Sequence, residues 1–433
     1  MTDASSQYQL PEKRELQAHL DEIRHHLHNE LLPFWQARCV DEQHGGLLTY
    51  YNRYGNPTGE TMKAMLGHAR TVFSSAHTHR AGYGDGFWLN RAKSCYRFLL
   101  DHFWDEKDGG WFWTAERDGT PRSRNKTIYG FSFIIYSFAE LAMASGDGEP
   151  LEWALLTLDL LQTNAADNCF GGYWEMFEED WQHTAPGDYG GDRKTLDVHM
   201  HLMEAFTNLY AATGNIIHKR RTEDVISLLL ERMMHPEYGT GIAQFSADLT
   251  PLRAILFKTV WGVDRDVDDT QGRPLDNTSY GHNVEFGWLL NRAVDVLGLE
   301  RDKYSVNIRK LYDHCLAYGI DWNKGGVYCE GPNEGPARET NKEFWQQAET
   351  LIAMLDGVEH YQDPRYWEAY KNVHRFVFDV VINHEVGEWF ALFGPDNEMI
   401  SDHMSHAWKS NYHTVRSMLE CERRLESLVA GAK

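Results

Sequence analysis

The apolar positions of this chain repeat with a helical rather than an extended period. From Pro11 to Arg38, Leu16, Leu20, Ile23, Leu27 and Leu31 recur every three or four residues with charged residues between them. This is the stripe of a helix that buries one side. Asp363–Val381 opens on Asp363-Pro364, an N-cap followed by proline at the first helical position. It sets Trp367, Tyr370 and Val373 on one face. Other segments are apolar almost all round: Lys126–Ala144 (KTIYGFSFIIYSFAELAMA), then Thr195–Thr213 and Tyr280–Leu297. A helix of that composition is buried on every side. The periodicity predicts about twelve helices, with the one-sided helix first in each pair and the fully buried one second.

The pairs are punctuated by a recurring turn. It reads DEQHGGLLTYY from Asp41, WDEKDGGWFW from Trp104, DNCFGGYWEMF from Asp167, PEYGTGIAQF from Pro236, DWNKGGVYCEG from Asp321 and NHEVGEWFALFG from Asn383. Acidic or amide residues open a turn, glycine supplies positive φ, and aromatic residues prefer the extended backbone that follows. Six such units mark a repeat architecture. Inner and outer rings of helices predict an all-α (α/α)6 barrel of six helical hairpins. No Pro/Ser/Gly linker divides residues 1–433, so a single domain is expected. The interval between the fourth and fifth turns is longer and carries an inserted loop near 252–275.

Composition narrows the function. The net charge of −22 excludes nucleic acid, which needs a basic footprint. No apolar run reaches the roughly 20 residues of a membrane helix. Six scattered cysteines without CxxC pairs, and an amino end without an apolar leader, predict free thiols and a cytoplasmic protein. The aromatic load (15 Trp, 21 Tyr, 20 Phe) suits both large helix cores and a cleft where flat rings stack on sugars.

Polar residues on buried helices cost free energy unless they are satisfied, so they mark candidate chemistry. Asp197, His201, Glu204 and Asn208 form a polar stripe on one buried segment. In NTSYGHNVEFGWLL, His282 and Glu285 stand three apart and share a helix face, so the carboxylate is expected to fix the imidazole's tautomer. HAWKSNYHTVRSMLECERRL places Trp408, Tyr412, His413, Arg416 and Glu420 within a few turns. Arg70 stands among apolar residues in KAMLGHARTVF, and Trp345 and Glu349 in NKEFWQQAETLIAML. His199-x-His201 diverges by about 160° on a helix, and no HExxH is present, so neither a catalytic metal nor another cofactor is expected. GxSxG, GxGxxG and P-loop patterns are absent too.

Taken together, ARTVF, KTIYGFSFIIYSFAE, DVHMHLMEAFTNLY, YGHNVEFGWLL, FWQQAETL and WKSNYHTVRSML resemble the N-acylglucosamine 2-epimerase superfamily, in particular its cellobiose and mannose 2-epimerase branches. The resemblance runs in family order over nearly the whole chain. It implies an (α/α)6 barrel with the site at one end, and a cofactor-independent sugar 2-epimerase working through a cis-enediolate. It implies His282 and His413 as the proton-transfer pair, Arg70 as stabiliser of the enediolate, Glu285 as orienter of His282, and His201 as the ring-opening residue. Tyr129, Asp197, Trp345, Glu349 and Trp408 would bind the sugar. A monomer or homodimer acting on a small sugar is expected. Asn283 stands where the cellobiose branch has Asp, and Asp197 where it often has Asn. With the insertion as a lid beside His282, these departures favour D-mannose/D-glucose over cellobiose. Mannose–fructose isomerisation and a glycoside hydrolase using Glu204, Glu285 or Glu349 are the alternatives.

Overall fold

The computed structural model describes residues 9–187, 190–255, 259–260, 263–264 and 272–432. Among the described residues there are twelve helices, once each single π-turn is counted with the helix it extends. The first, α1, is Lys13–His26 running on through Leu27–Leu31 and Leu32–Gln36. Then come α2 (Met65–Arg80), α3 (Phe87–Phe103), α4 (Ile128–Ser145), α5 (Glu149–Asn164), α6 (Leu196–Thr213) and α7 (Ile216–Arg232). The last five are α8 (Tyr280–Leu297), α9 (Asp302–His314 with Cys315–Gly319), α10 (Phe344–Tyr361), α11 (Pro364–Phe376 with Val377–Val381) and α12 (Tyr412–Gly431).

The even-numbered helices form an inner ring. Each packs on the next in the order α2, α4, α6, α8, α10, α12, and α12 returns to α2. The outer helices each cover one inner helix, and α1 lies on α12, joining the two ends of the chain. The predicted order within a pair is therefore reversed: the buried helix comes first and the one-sided helix follows it. The reason lies in the connections. Inner-to-outer turns are short, several closed by a left-handed residue such as Gly146, Gly214, Gly298 or Gln362, where glycine carries no Cβ penalty. Outer-to-inner connections hold the long aromatic loops, too long to keep two helices in one hairpin. The stripe of α1 is buried as expected, and Asp363 caps α11 by accepting from the Arg365 amide. The helix α4 is long and apolar enough to cross a membrane, but most of it is buried among its neighbours.

The six predicted turns are present as six equivalent antiparallel bridges: Val40 to Leu47, Trp104 to Trp111, Ala166 to Tyr173, Met234 to Gly241, Ile320 to Val327 and Ile382 to Trp389. In five of them a wholly buried lysine pins the turn through an acidic partner. The pairs are Lys63–Asp41, Lys126–Asp105, Lys194–Asp167, Lys342–Asp321 and Lys409–Glu388. Thr278 holds the lysine's place in the fourth repeat, bonding to the Gly241 carbonyl. These lysines sit just ahead of the inner helices, so they fix where each helix begins.

Candidate active site

The lysine register organises the site. Seven residues beyond the buried lysine (or Thr278), successive inner helices carry Arg70, His201, Glu285, Glu349 and Arg416, with Phe133 at the sixth place. Three or four residues beyond it stand Tyr129, Asp197, His282, Trp345 and His413. Positions four apart share a helix face, so the ring presents two stacked layers at the end where the inner helices start. His282 and His413 hold the same place, two helices apart, and Trp345 comes from the helix between them. Its ring centroid is 4.7 Å from that of His282 and 5.7 Å from that of His413.

This end of the ring encloses a cavity of about 320 Å³. Arg70, Tyr129, Asp197, His201, His282, Glu285, Trp345, Trp408 and His413 all line it. Glu349, expected to bind sugar, does not. It lies behind His413 and accepts from its Nδ1 at 2.7 Å, while Trp288 Nε1 donates to its other oxygen at 2.9 Å. With Nδ1–H committed to Glu349, the His413 Nε2 keeps its lone pair. Burial, with Arg70, Arg416 and His201 nearby, holds the His413 pKa well below the ordinary imidazole value. This ring is neutral.

His201 is in the opposite state. Burial disfavours its charge, but Asp197 at 3.4 Å from Nε2 and Glu204 at 2.9 Å from Nδ1 outweigh burial. Its pKa is raised to about 10, so it is an imidazolium at neutral pH. Arg70 adds a second cation facing the cavity. Its guanidinium donates to the Trp408 carbonyl at 2.7 Å and the Tyr129 hydroxyl at 2.8 Å.

Two expectations change. Glu285 does not orient His282; it accepts from Arg416 at 2.7 Å. His282 is instead 3.6 Å from Asp197 Oδ1, so Asp197 sits between His282 and His201. Spacing along one helix puts His282 and Glu285 on a common face, but the strong cation at the axis captures the carboxylate. Asn283 also has a different part to play. Its Oδ1 accepts from the Gly241 amide at 2.9 Å and its Nδ2 donates to Thr278. His68, His199 and Gln347 stand at the same repeat position and accept from the amides of Leu47, Tyr173 and Val327. Asn283 therefore fastens a turn, and it lines the cavity as well.

Arg416 was visible in the sequence, but its role was not. Nearly fully buried, it donates to Glu204 at 2.6 Å, Glu285 at 2.7 Å and Glu349 at 2.6 Å, and contacts the Tyr412 hydroxyl. Around it, burial and Glu349 push Glu285 up to about 7. Glu204 is drawn down to about 2, as Arg416 and His201 outweigh burial. The ligand atoms of Glu285, Glu349 and His413 cluster tightly enough to hold a cation, and the guanidinium already supplies one. Aligning the repeats on their lysines would have exposed Arg416 beside Arg70. The three glutamates of the hydrolase alternative all serve this guanidinium, and of them only Glu285 lines the cavity. Of the inserted loop, Ala254, Ile255 and Arg273 line the mouth; residues 256–258, 261–262 and 265–271, where a lid would be, lie outside the described residues.

Residues 46–417 match the N-acylglucosamine 2-epimerase (GlcNAc 2-epimerase) family. A cellobiose 2-epimerase of Ruminococcus albus is 28% identical over 93% of this chain and 97% of its own length. A D-mannose isomerase of Marinomonas mediterranea is 25% identical over 95% of this chain and 97% of its own. The solved cellobiose 2-epimerase of Spirochaeta thermophila superposes with a TM-score of 0.82 at 28% identity, covering 95% of this chain and 98% of that one.

Proposed function

The chain belongs to the N-acylglucosamine 2-epimerase family and is a carbohydrate epimerase or isomerase; on that premise we propose that it inverts carbon 2 of an open-chain aldose, with His282 and His413 as the proton-transfer pair. The observation that carries this reading is His413, its Nδ1 tied to Glu349, set across Trp345 from His282 at the equivalent repeat position.

In one direction His413 Nε2 takes the proton from C2, which is acidified by the adjacent C1 aldehyde. The C–H electrons enter the C1–C2 bond and the aldehyde oxygen becomes an enediolate oxygen. The Arg70 guanidinium and the His201 imidazolium supply positive charge to that oxygen. A buried imidazole of low pKa is a weak base on its own. Here the imidazolium forms against Glu349 and beside the new negative charge, which offsets the repulsion from Arg70 and His201. His282, entering as imidazolium, returns a proton to the opposite face of C2. The reverse reaction uses the same groups with roles exchanged. In ring opening His201 gives its proton to the ring oxygen and takes up the proton of the O1 hydroxyl, so it is an imidazolium again before C2 reacts, and Trp345, Trp408 and Tyr129 offer flat surfaces to the sugar. We also read the twelve helices as one (α/α)6 barrel domain, a reading supported by the cyclic packing of the inner helices.

D-Mannose/D-glucose is the substrate pair we favour. All three departures behind that preference touch the cavity: Asp197 and Asn283 line it, and so do Ala254, Ile255 and Arg273 of the insertion. Cellobiose is the second reading, favoured by the extension of the cavity past His282 to Arg193, Gln244, Asn277 and Asn341, a polar wall for a second ring. Proton NMR of mannose, glucose and cellobiose in D₂O tests all of this. The expected result is mannose–glucose conversion with deuterium at C2, abolished in His282→Ala and in His413→Ala. Near-normal turnover in either variant defeats the two-histidine scheme. Fructose from mannose without glucose would make the enzyme an isomerase.

A further inference from the structure

We propose that His19, Glu22 and His374 form a binding site for a divalent cation of the zinc class, on the outer ring and apart from the sugar cavity. His19 and Glu22 are three apart on α1 and so share a face; α11 brings His374 against them. Glu22 Oε2 is 3.9 Å from His19 Nδ1 and 3.5 Å from His374 Nε2. Both of those ring nitrogens are buried and neither has a hydrogen-bond partner. A buried polar atom without a partner costs about 1–3 kcal/mol. Two of them converging on one carboxylate make the arrangement that a metal ion satisfies.

The chemistry of the donors agrees. Two imidazole nitrogens and one carboxylate oxygen are donors of the type that zinc takes. The three ligand atoms lie within 4.8 Å of one another. A shift of roughly half an ångström or less would bring them to the 2.0–2.2 Å that zinc takes with imidazole and carboxylate. The rings are held in place: His374 stacks on Phe378 at 4.1 Å, and His19 meets Trp367 edge-on at 5.1 Å. Local charge also favours a cation. Asp379 adds a second carboxylate close enough to act on Glu22, and water completes the coordination. The cation facing His19 is Lys371, and its ammonium is already engaged by Glu368 at 2.9 Å and Glu15 at 3.4 Å.

The neighbouring His26–Glu30–His384 cluster shows the contrast. There the ring nitrogens that face the carboxylate already bond to it, His26 Nδ1 at 2.7 Å and His384 Nδ1 at 3.0 Å from Glu30 Oε2. A cation at His19, Glu22 and His374 would strengthen the contact of α1 with α11, where His19 already meets Trp367 and Lys371 reaches Glu15. It is a structural clasp on the first helix.

The full-length protein, stripped with a chelator and dialysed, is titrated with Zn²⁺ and with Co²⁺. The expected result is one bound equivalent, visible absorption from tetrahedral Co²⁺, and a rise in Tm with Zn²⁺. In Glu22→Gln and His374→Gln the affinity falls by about tenfold or more, on the order of the loss when a metal ligand's support is removed. Absence of a Tm rise together with absence of a stoichiometric equivalent overturns the proposal, as does binding that persists undiminished in Glu22→Gln. Glu22 is exposed, so its variant decides the matter even if His374→Gln fails to fold.

Discussion

Replacing Glu349 by glutamine separates the proton chemistry of His413 from its placement. Glutamine keeps the shape and one acceptor oxygen, so the His413 ring retains a partner at the 2.7 Å contact. What is lost is the negative charge that stabilises the imidazolium formed when C2 gives up its proton. A hydrogen bond to a charged group contributes about 1.5–3 kcal/mol, and at about 1.4 kcal/mol per tenfold in rate this predicts a fall in kcat of about 10- to 150-fold. Glu349 does not line the cavity, so KM should change little. Folding should change little too. Burial and the charge of Glu349 together push Glu285 up to about 7, and removing that charge lets Glu285 ionise and compensate Arg416 in its place. The assay is the rate of C2 deuteration and of epimer formation by NMR, with thermal unfolding alongside. A kcat within threefold of wild type, in a variant with unchanged Tm, would refute the claim that Glu349 supports the charged form of His413.

Arg416→Met leaves three buried carboxylates without their common cation, and breaking a buried ion pair by removing one partner costs about 3–5 kcal/mol; an unchanged urea midpoint would contradict the network. Burial keeps His68 and His199 neutral, with pKa values of about 3 and about 4 against an ordinary 6.5. Below pH 6.5 the unfolded chain takes up protons there that the folded chain does not. Their contribution is therefore complete above about pH 6.5 and is lost as the pH falls toward 4. His199→Gln, which copies the arrangement of Gln347, should flatten that acid limb in urea titrations at pH 7 and 4.5, and a wild-type slope would count against it. Asn283→Ala should cost about 1–3 kcal/mol through the orphaned Gly241 amide; an unchanged urea midpoint would contradict its role in fastening the turn.

Much of this was readable from the chain because it is local. The stripe from Leu16 to Leu31, the apolar sweep of Lys126–Ala144 and the Asp363-Pro364 cap each follow from the helical period and from backbone chemistry within a few residues. The six turns followed from glycine and acidic residues at fixed offsets. The motif contexts of Arg70, His201, His282 and His413 then marked polar groups that a buried helix has no local reason to carry. Nine of the ten residues so marked do face one cavity.

Partnership was not readable, because it is set between helices far apart in sequence. His282 and Glu285 share a helix face, yet the carboxylate turns to Arg416, 131 residues away. His413 takes its partner, Glu349, from 64 residues upstream. Burial likewise decided protonation: it makes His413 neutral, while Asp197 and Glu204 overcome it to keep His201 charged. The sequence by itself determined the helices, their turns and the set of polar residues on the inner ring, since those depend on periodicity and local conformation. Only the tertiary structure decided which carboxylate holds which histidine and which ring carries the proton. In a closed ring, charges from six helices meet at one axis of low dielectric, where the strongest cation takes its partners first.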